Sequence, residues 1–184
     1  MQRGTDPTTL EFAILGLLAL APHSGYDLLQ IFETTAIGNY SSSPGAIYPA
    51  LGRLEKRALI EGVVDDSHAL RPKKVFRPTP DGKKVLRRWL RARITENDVQ
   101  RHLDELLLRF ALHSVVEKQA SRDFLNDLAR ATDEYVAKLR EQRKIFSDDE
   151  PPHGRMAFEF GIERYRACAR WARRTLRHFE EEAS

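Results

Sequence analysis

Ser43-Pro44-Gly45-Ala46-Ile47-Tyr48-Pro49-Ala50-Leu51-Gly52-Arg53-Leu54-Glu55-Lys56-Arg57-Ala58-Leu59-Ile60 reads as one helix with two unlike faces, running into the start of a strand. Ser43 is a hydroxyl N-cap, and Pro44 takes the first helical position, where a missing N–H costs nothing. Ile47, Leu51, Leu54 and Leu59 recur at helical spacing and mark the face that enters a core. Tyr48, Gly52, Arg53 and Lys56 lie on the opposite face, beside the small Gly45 and Ala46. Pro49 forfeits one backbone bond and bends the axis locally, and Ala58 stands near the helix end.

Two helices precede this one. Thr8 to Ala21 is apolar almost all round and is expected to be a buried helix. Pro22-His23-Ser24-Gly25 breaks it, and Ser24 caps a second helix reaching about Thr34, with Tyr26, Leu28, Leu29 and Phe32 inward. Gly38 to Ser42 is a turn. After the quoted helix, Ile60 to Asp65 reads as a strand, Asp66 to Pro72 as a loop and Lys73 to Arg77 as a second strand, which together make a β-hairpin. Pro80-Asp81-Gly82 opens a further helix to about Arg93 with Val85, Leu86, Trp89 and Leu90 apolar. Three helices and a hairpin in this order describe a winged helix-turn-helix.

From Asp98 the pattern changes to long amphipathic helices. Val99-Leu103-Leu106-Leu107-Phe110, Phe124-Leu128-Tyr135-Leu139 and Phe158-Ile162-Tyr165-Ala169-Ala172-Leu176-Phe179 mark three of them, the last two separated by a break over Ser147 to Gly154. The fold class is therefore mainly α with a small β-hairpin. Residues 1–94 are expected to form a winged helix-turn-helix DNA-binding domain, and residues 95–184 a helical dimerisation and effector domain. Phe12 to Leu20 and the stripe from Phe158 to Phe179 offer more apolar surface than one small domain needs, which argues for a homodimer.

The chain has 184 residues with a net charge of only +3, distributed unevenly. Residues 53–93 carry 13 Lys and Arg against 5 Asp and Glu, the footprint of a surface that meets a polyanion. The single Cys168 cannot form an internal bridge, so nothing asks for an oxidising compartment. The apolar run Phe12–Ala21 is far shorter than the roughly 20 residues that cross a bilayer. A secretory signal is its rival reading, since Arg3 precedes the run and Ala19-Leu20-Ala21 has the small-x-small form. Asp6 and Glu11 count against it, and cleavage would remove the first helix. A cytoplasmic location without membrane association is expected.

Enzyme chemistry finds no support. There is no phosphate-cradling Gly loop, no G-x-S-x-G and no H-E-x-x-H. His23, His68, His102, His113, His153 and His178 are scattered and read as surface or capping residues. No metal, cofactor or catalytic residue is expected.

The start of the quoted helix, Ser42 to Ala46, has small residues whose free N–H groups let a phosphate approach the positive end of the helix dipole. Tyr48 and Arg53 project from the same exposed face. In a winged helix that face enters the major groove, where Arg pairs with guanine and Tyr touches a phosphate or a thymine methyl. The alternatives are that Tyr48 shelters the helix start and that Arg53 pairs with Glu55 or Glu61. Arg71, Lys73 and Lys74 sit where a wing reaches flanking phosphates, a contact that gives affinity without sequence information.

Gly45 to Ile60 resembles the recognition-helix signature of the PadR family of bacterial transcriptional regulators. Leu15-Gly16-Leu17-Leu18 with Ser24-Gly25-Tyr26-Asp27-Leu28 is similar to that family's first two helices. Lys73-Lys74-Val75-Phe76-Arg77 with Thr79, Asp81 and Gly82 resembles its wing and following helix. Two departures stand out. Ala58 replaces the usual Gly, so the helix is expected to close without a left-handed residue, and Pro78 is expected to interrupt the second strand and shorten the wing. The remainder resembles, in length and layout, the helical C-terminal domain of the longer PadR subgroup.

The resemblance implies a homodimeric repressor that reads a pseudo-palindromic operator in double-stranded DNA, its half-sites about 34 Å apart. The candidate DNA contacts are then Tyr26, Ser42, Ser43, Gly45, Ala46, Tyr48, Pro49, Arg53, Arg71, Lys73 and Lys74. It also implies release by a small aromatic or amphiphilic effector, for which Trp89, Phe110, Tyr165 and Trp171 are candidate lining residues. The rival reading is a winged-helix small-molecule-binding or protein-interaction module that does not read DNA. Charge concentrated on the recognition helix and wing favours the DNA reader.

Overall fold

The computed structural model describes residues 6–40, 44–65, 73–145 and 151–181. Its chain divides into two compact units, residues 1–90 with 111–116, and residues 91–110 with 117–184. The first ends at Leu90 and not at residue 94, because Ile94 is buried in the second core.

In the first unit, α1 (Thr9–Leu20) is sunk on nearly every side, with Glu11 through Leu18 buried. Thr8 caps it in a reciprocal box: its hydroxyl accepts from the Glu11 N–H, and the Glu11 carboxylate accepts from the Thr8 N–H. A second box, Ser24 with Asp27, starts α2 (Gly25–Thr34). A 3₁₀ turn over Ala36–Tyr40 follows, and α3 runs over Pro44–Lys56. Ile47, Ala50, Leu51 and Leu54 of α3 are buried with Phe12, Ile14, Leu15, Leu28 and Phe32. That core sets which face of α3 looks outward.

The sheet has three strands where the sequence shows two. β1 (His23–Ser24), β2 (Ile60–Asp65) and β3 (Lys73–Pro78) lie antiparallel in the order β1-β3-β2. Two residues carry too little pattern to be read as a strand, and β1 exists only because Ser24 and His23 pair with Val75 and Phe76. Pro78 does not interrupt β3. It is the terminal residue of the strand, paired with Ile60, where the lost N–H costs no interior ladder bond.

The end of α3 also departs from expectation. Ala58 takes φ 53°, the left-handed conformation that glycine usually supplies. The Leu59 N–H then reaches the Leu54 carbonyl at 3.0 Å and the Ala58 N–H the Glu55 carbonyl at 2.9 Å, the paired bonds of a Schellman closure. Thr79 fastens this end to α4 (Pro80–Leu90). Its hydroxyl donates to the Ala58 carbonyl at 2.7 Å and accepts from the Gly82 N–H at 3.1 Å. Gly82 is required there, since a Cβ would stand 1.9 Å from the Leu59 carbonyl oxygen. α4 stops at Leu90 and not Arg93.

In the second unit, the first expected long helix is two: α5 (Glu96–Arg101) and α6 (Leu103–Ala111), parted at His102. α7 (Lys118–Arg143) and α8 (Pro152–Glu181) run antiparallel. Arg122 donates to the Phe179 carbonyl at 2.8 Å, Arg173 meets Asp133, and Arg143 lies 3.1 Å from Glu159. The expected break is shorter than its sequence, because Pro152 to Gly154 already belong to α8. Val99, Leu103, Leu106, Phe124, Leu125, Leu128 and Ala172 form the core. A short 3₁₀ turn, His113–Val115, belongs to the first unit, and His113 is buried there, not at the surface as expected.

Candidate nucleic-acid interface

With its apolar side held in the core, α3 turns Gly45, Tyr48, Pro49, Gly52, Arg53 and Lys56 outward, and Ala46 is half-buried beside them. Tyr48 is 55% exposed, yet its ring is not free to swing. It lies against the first residue of α2, where a Cβ on Gly25 would meet its Cε1 at 2.6 Å. Glycine at 25 thus lets the Cδ1–Cε1–Cζ side of the tyrosine ring come close to the α2 terminus. Tyr48 shelters the start of α2, not of its own helix. Tyr26 is exposed as well, which corrects the inward placement expected for it. The proposed contacts Ser42, Ser43 and Arg71 lie outside the described residues.

Arg53 pairs with neither Glu55 nor Glu61. Its Nε donates to Glu11 Oε1 at 2.6 Å, and Arg57 Nη1 lies 3.5 Å from Glu11 Oε2. Glu55 is occupied by Lys74 at 2.7 Å, and Glu61 by Arg77 at 2.8 Å. Glu11, the partner that holds Arg53, is a residue the sequence reading did not single out. The signal was available, since Thr8-x-x-Glu11 ahead of an apolar run is a capping-box pattern. The reach of that carboxylate to another helix has no sequence signature.

On the wing, Lys73 Nζ lies 3.2 Å from Asp27 at the head of α2. Lys74 reaches Glu55 on α3, with its ammonium 5.0 Å over the Phe76 ring. The Ser24 backbone N–H, followed by the Ser24 hydroxyl and Lys73, holds the Asp27 carboxyl below the usual aspartate value. These are exposed pairs, worth at most about 1 kcal/mol each. A phosphate can replace either carboxylate at little cost, so the pairing does not remove the lysines as backbone contacts. Lys56 and Lys83 make no ion pair among the described residues.

The four candidate effector residues are divided between the two units. Trp89 stacks on Phe12 at 4.4 Å and 4° within the first unit. In the second unit Phe110 meets Trp171 edge-on at 5.2 Å, and Tyr165 meets Tyr135 edge-on at 4.9 Å. All four rings are half-buried and engaged with neighbouring aromatic rings. A cavity of about 330 Å³ lies elsewhere in the first unit, lined by Leu20, Lys83, Leu86, Arg87, Ser114 and Val115. Cys168 is partly buried, and burial pushes its thiol up, the reverse of what a reactive thiolate needs. Among the described residues no cluster of three His, Cys, Asp or Glu could hold a metal, and no helix is long and apolar enough to cross a membrane.

Residues 14–88 match the Transcriptional regulator PadR-like family, and residues 104–180 match the Virulence activator alpha C-term family. The negative transcriptional regulator PadR of Bacillus subtilis is 28% identical over 144 residues, spanning 77% of this chain and 78% of that protein. The transcriptional regulator YqjI of Escherichia coli is 41% identical over 51 residues, 28% of this chain and 25% of that protein. Among solved structures, Bacillus subtilis PadR in complex with operator DNA is similar over 94% of this chain and 99% of its own, at 24% identity and a TM-score of 0.43. A PadR-like transcriptional regulator from Bacillus cereus is similar over 96% of this chain and 98% of its own, at 23% identity and a TM-score of 0.43.

Proposed function

We propose that this chain, which belongs to the PadR-like family of transcriptional regulators, is a repressor that binds a pseudo-palindromic operator as a homodimer in the cytoplasm. The relative from Bacillus subtilis is itself a negative regulator. The observation that carries the reading is the two-faced α3. Its apolar side is locked into the first core, and its outward side presents small residues, an anchored tyrosine and an arginine, with wing lysines alongside.

In this reading the first unit carries the DNA contacts and the second unit the dimer. Gly45, Ala46 and Pro49 let the backbone approach a strand closely. Tyr26 and Tyr48 touch phosphate or a thymine methyl, Arg53 reads a base edge, and Lys73 and Lys74 neutralise flanking phosphates. The chain acts by occupying DNA, with no chemical step.

An effector site is better placed at the cavity of the first unit than at the four aromatics. Lys83 and Arg87 stand one turn apart on α4, over Leu20, Leu86 and Val115. Two cations among apolar lining residues suit a small amphiphilic anion such as an aryl carboxylate.

Selection of bound sequences from a randomised duplex pool tests the whole reading. Enrichment of an inverted repeat is the expected result. A chain that enriches no sequence and binds duplex DNA no better than a neutral protein is an interaction module, and the repressor reading falls.

A further inference from the structure

Among the described residues Glu11 is the one buried carboxylate, its side chain 3% exposed. Both of its oxygens are committed. Oε2 accepts the Thr8 backbone N–H at 2.9 Å and faces Arg57 Nη1 at 3.5 Å, while Oε1 accepts Arg53 Nε at 2.6 Å. The carboxylate is fixed by the cap of a helix that is itself the centre of the core. Among the described residues Glu11 is the partner that holds Arg53, whose side chain is 53% exposed.

A guanidinium offers two donor edges, a side edge that includes Nε and an end fork formed by Nη1 and Nη2. Glu11 takes the first. The end fork is the edge left to match O6 and N7 of a guanine. A long side chain that must be ordered on binding loses affinity to that ordering, and one already held does not.

We infer that Glu11 is a positioning residue for operator recognition, holding Arg53 by Nε so that its Nη1/Nη2 fork is presented to one G·C pair in each half-site. This rests on the repressor reading above and adds to it the mode of the base contact. It also gives the buried charge on α1 a role: the carboxylate is shared between Arg53, in the last turn of α3, and Arg57, just past its end, and sets the direction of Arg53.

The test uses the full chain and the inverted repeat that the wild type selects. Affinities are measured for that duplex, for each single base-pair change in it, and for an unrelated duplex. Arg53→Ala is expected to flatten the preference at one G·C pair by roughly 5- to 100-fold. Arg53→Lys, which keeps the charge but has no fork, is expected to flatten it as much, while binding to the unrelated duplex and its salt dependence stay as in the wild type. Glu11→Gln is expected to weaken the preference about three- to tenfold at that pair only, and to change nothing there in an Arg53→Ala background. A purely structural Glu11 would instead lower affinity for every duplex alike.

If Arg53→Ala relaxes the pair and Glu11→Gln does not, Arg53 reads DNA unaided and the positioning role is wrong. If Arg53→Ala leaves every preference intact, the base contact and the role built on it fall together, while the repressor stands on the sequence it selected. Should Glu11→Gln fail to fold, Arg53→Lys decides alone: a lysine that keeps the full preference at the pair overturns the inference.

Discussion

Ala58 adopts φ 53° at the end of α3 because the chain must turn there to deliver Leu59 and Ile60 into the core, both of them buried. A left-handed residue with a Cβ costs about 1–2 kcal/mol, and glycine gives back part of that through the entropy it loses on folding. Ala58→Gly is therefore expected to raise stability by up to about 1 kcal/mol, measured by chemical denaturation, with DNA affinity unchanged because residue 58 lies beyond the exposed face. Next to it, Thr79 is the hydroxyl that ties two helix ends together. Thr79→Val keeps the volume but leaves the Ala58 carbonyl and the Gly82 N–H without that partner, a loss of about 1–2 kcal/mol. If the valine variant melts with the wild type, water replaces the hydroxyl and the junction is not held by Thr79. These positions show why one residue type is a poor guide to backbone shape. The alanine predicted a closure without the left-handed turn, yet the packing of Leu59 demanded the turn and the alanine bears the strain.

The wing illustrates the same competition for a whole element. Its two main strands, β2 and β3, were legible from alternation and turn residues, as were the helix starts at Ser24 and Pro44 and the inner face of α3. The short β1 and the division of the fifth helix at His102 were not, since each depends on pairing or packing with residues distant in sequence. The ion pairs that bind Lys73 to α2 and Lys74 to α3 were equally hidden, although both lysines were expected at the surface that meets DNA. Exposed pairs of this kind yield readily to phosphate, so Lys73→Ala with Lys74→Ala is expected to weaken all duplexes about equally. The slope of log affinity against log salt should fall by up to about 2 for each wing, roughly 0.9 for each phosphate released. An unchanged slope would place the wing away from the backbone. The Asp27 carboxyl adds a pH dependence. Its value is depressed in the folded chain by the Ser24 N–H, so the α2 cap contributes stability above the unfolded aspartate value and loses it as the pH falls through the folded one. Asp27→Asn should be the less stable at neutral pH and should approach the wild type as acid titrates the carboxyl, read as converging melting temperatures. Curves that stay parallel down to about pH 2 would mean that the charge of Asp27 contributes nothing.

For the whole molecule the question is what covers the apolar surface that each unit leaves outside. Of the run Phe12 to Leu20, the part to Leu18 is spent inside the first core and Leu20 is left half-exposed; of the stripe Phe158 to Phe179, Ile162, Ala169 and Ala172 are buried, and Phe158, Tyr165, Leu176 and Phe179 are half-buried against the cores of their own unit. The larger exposed apolar side chains of the second unit lie at the early part of α8 and just past α7. Met156 and Phe160 sit one turn apart on α8 and are both exposed, Phe160 to 74%, with the exposed Ile145 just past α7. A second copy related by a two-fold axis would bury such a patch against its own equivalent or a neighbouring surface. Phe160→Lys is expected to halve the mass measured by light scattering at micromolar concentration while the far-ultraviolet circular dichroism stays the same, since the ring contributes little to its own core. Operator affinity should then fall by a larger factor than affinity for an isolated half-site, because the second recognition helix no longer arrives at high effective concentration. A wild type that scatters as a monomer would remove the dimer. A Phe160→Lys chain that remains dimeric would place the two-fold contact elsewhere, and would leave a large aromatic ring exposed with no role that the inverted repeat requires.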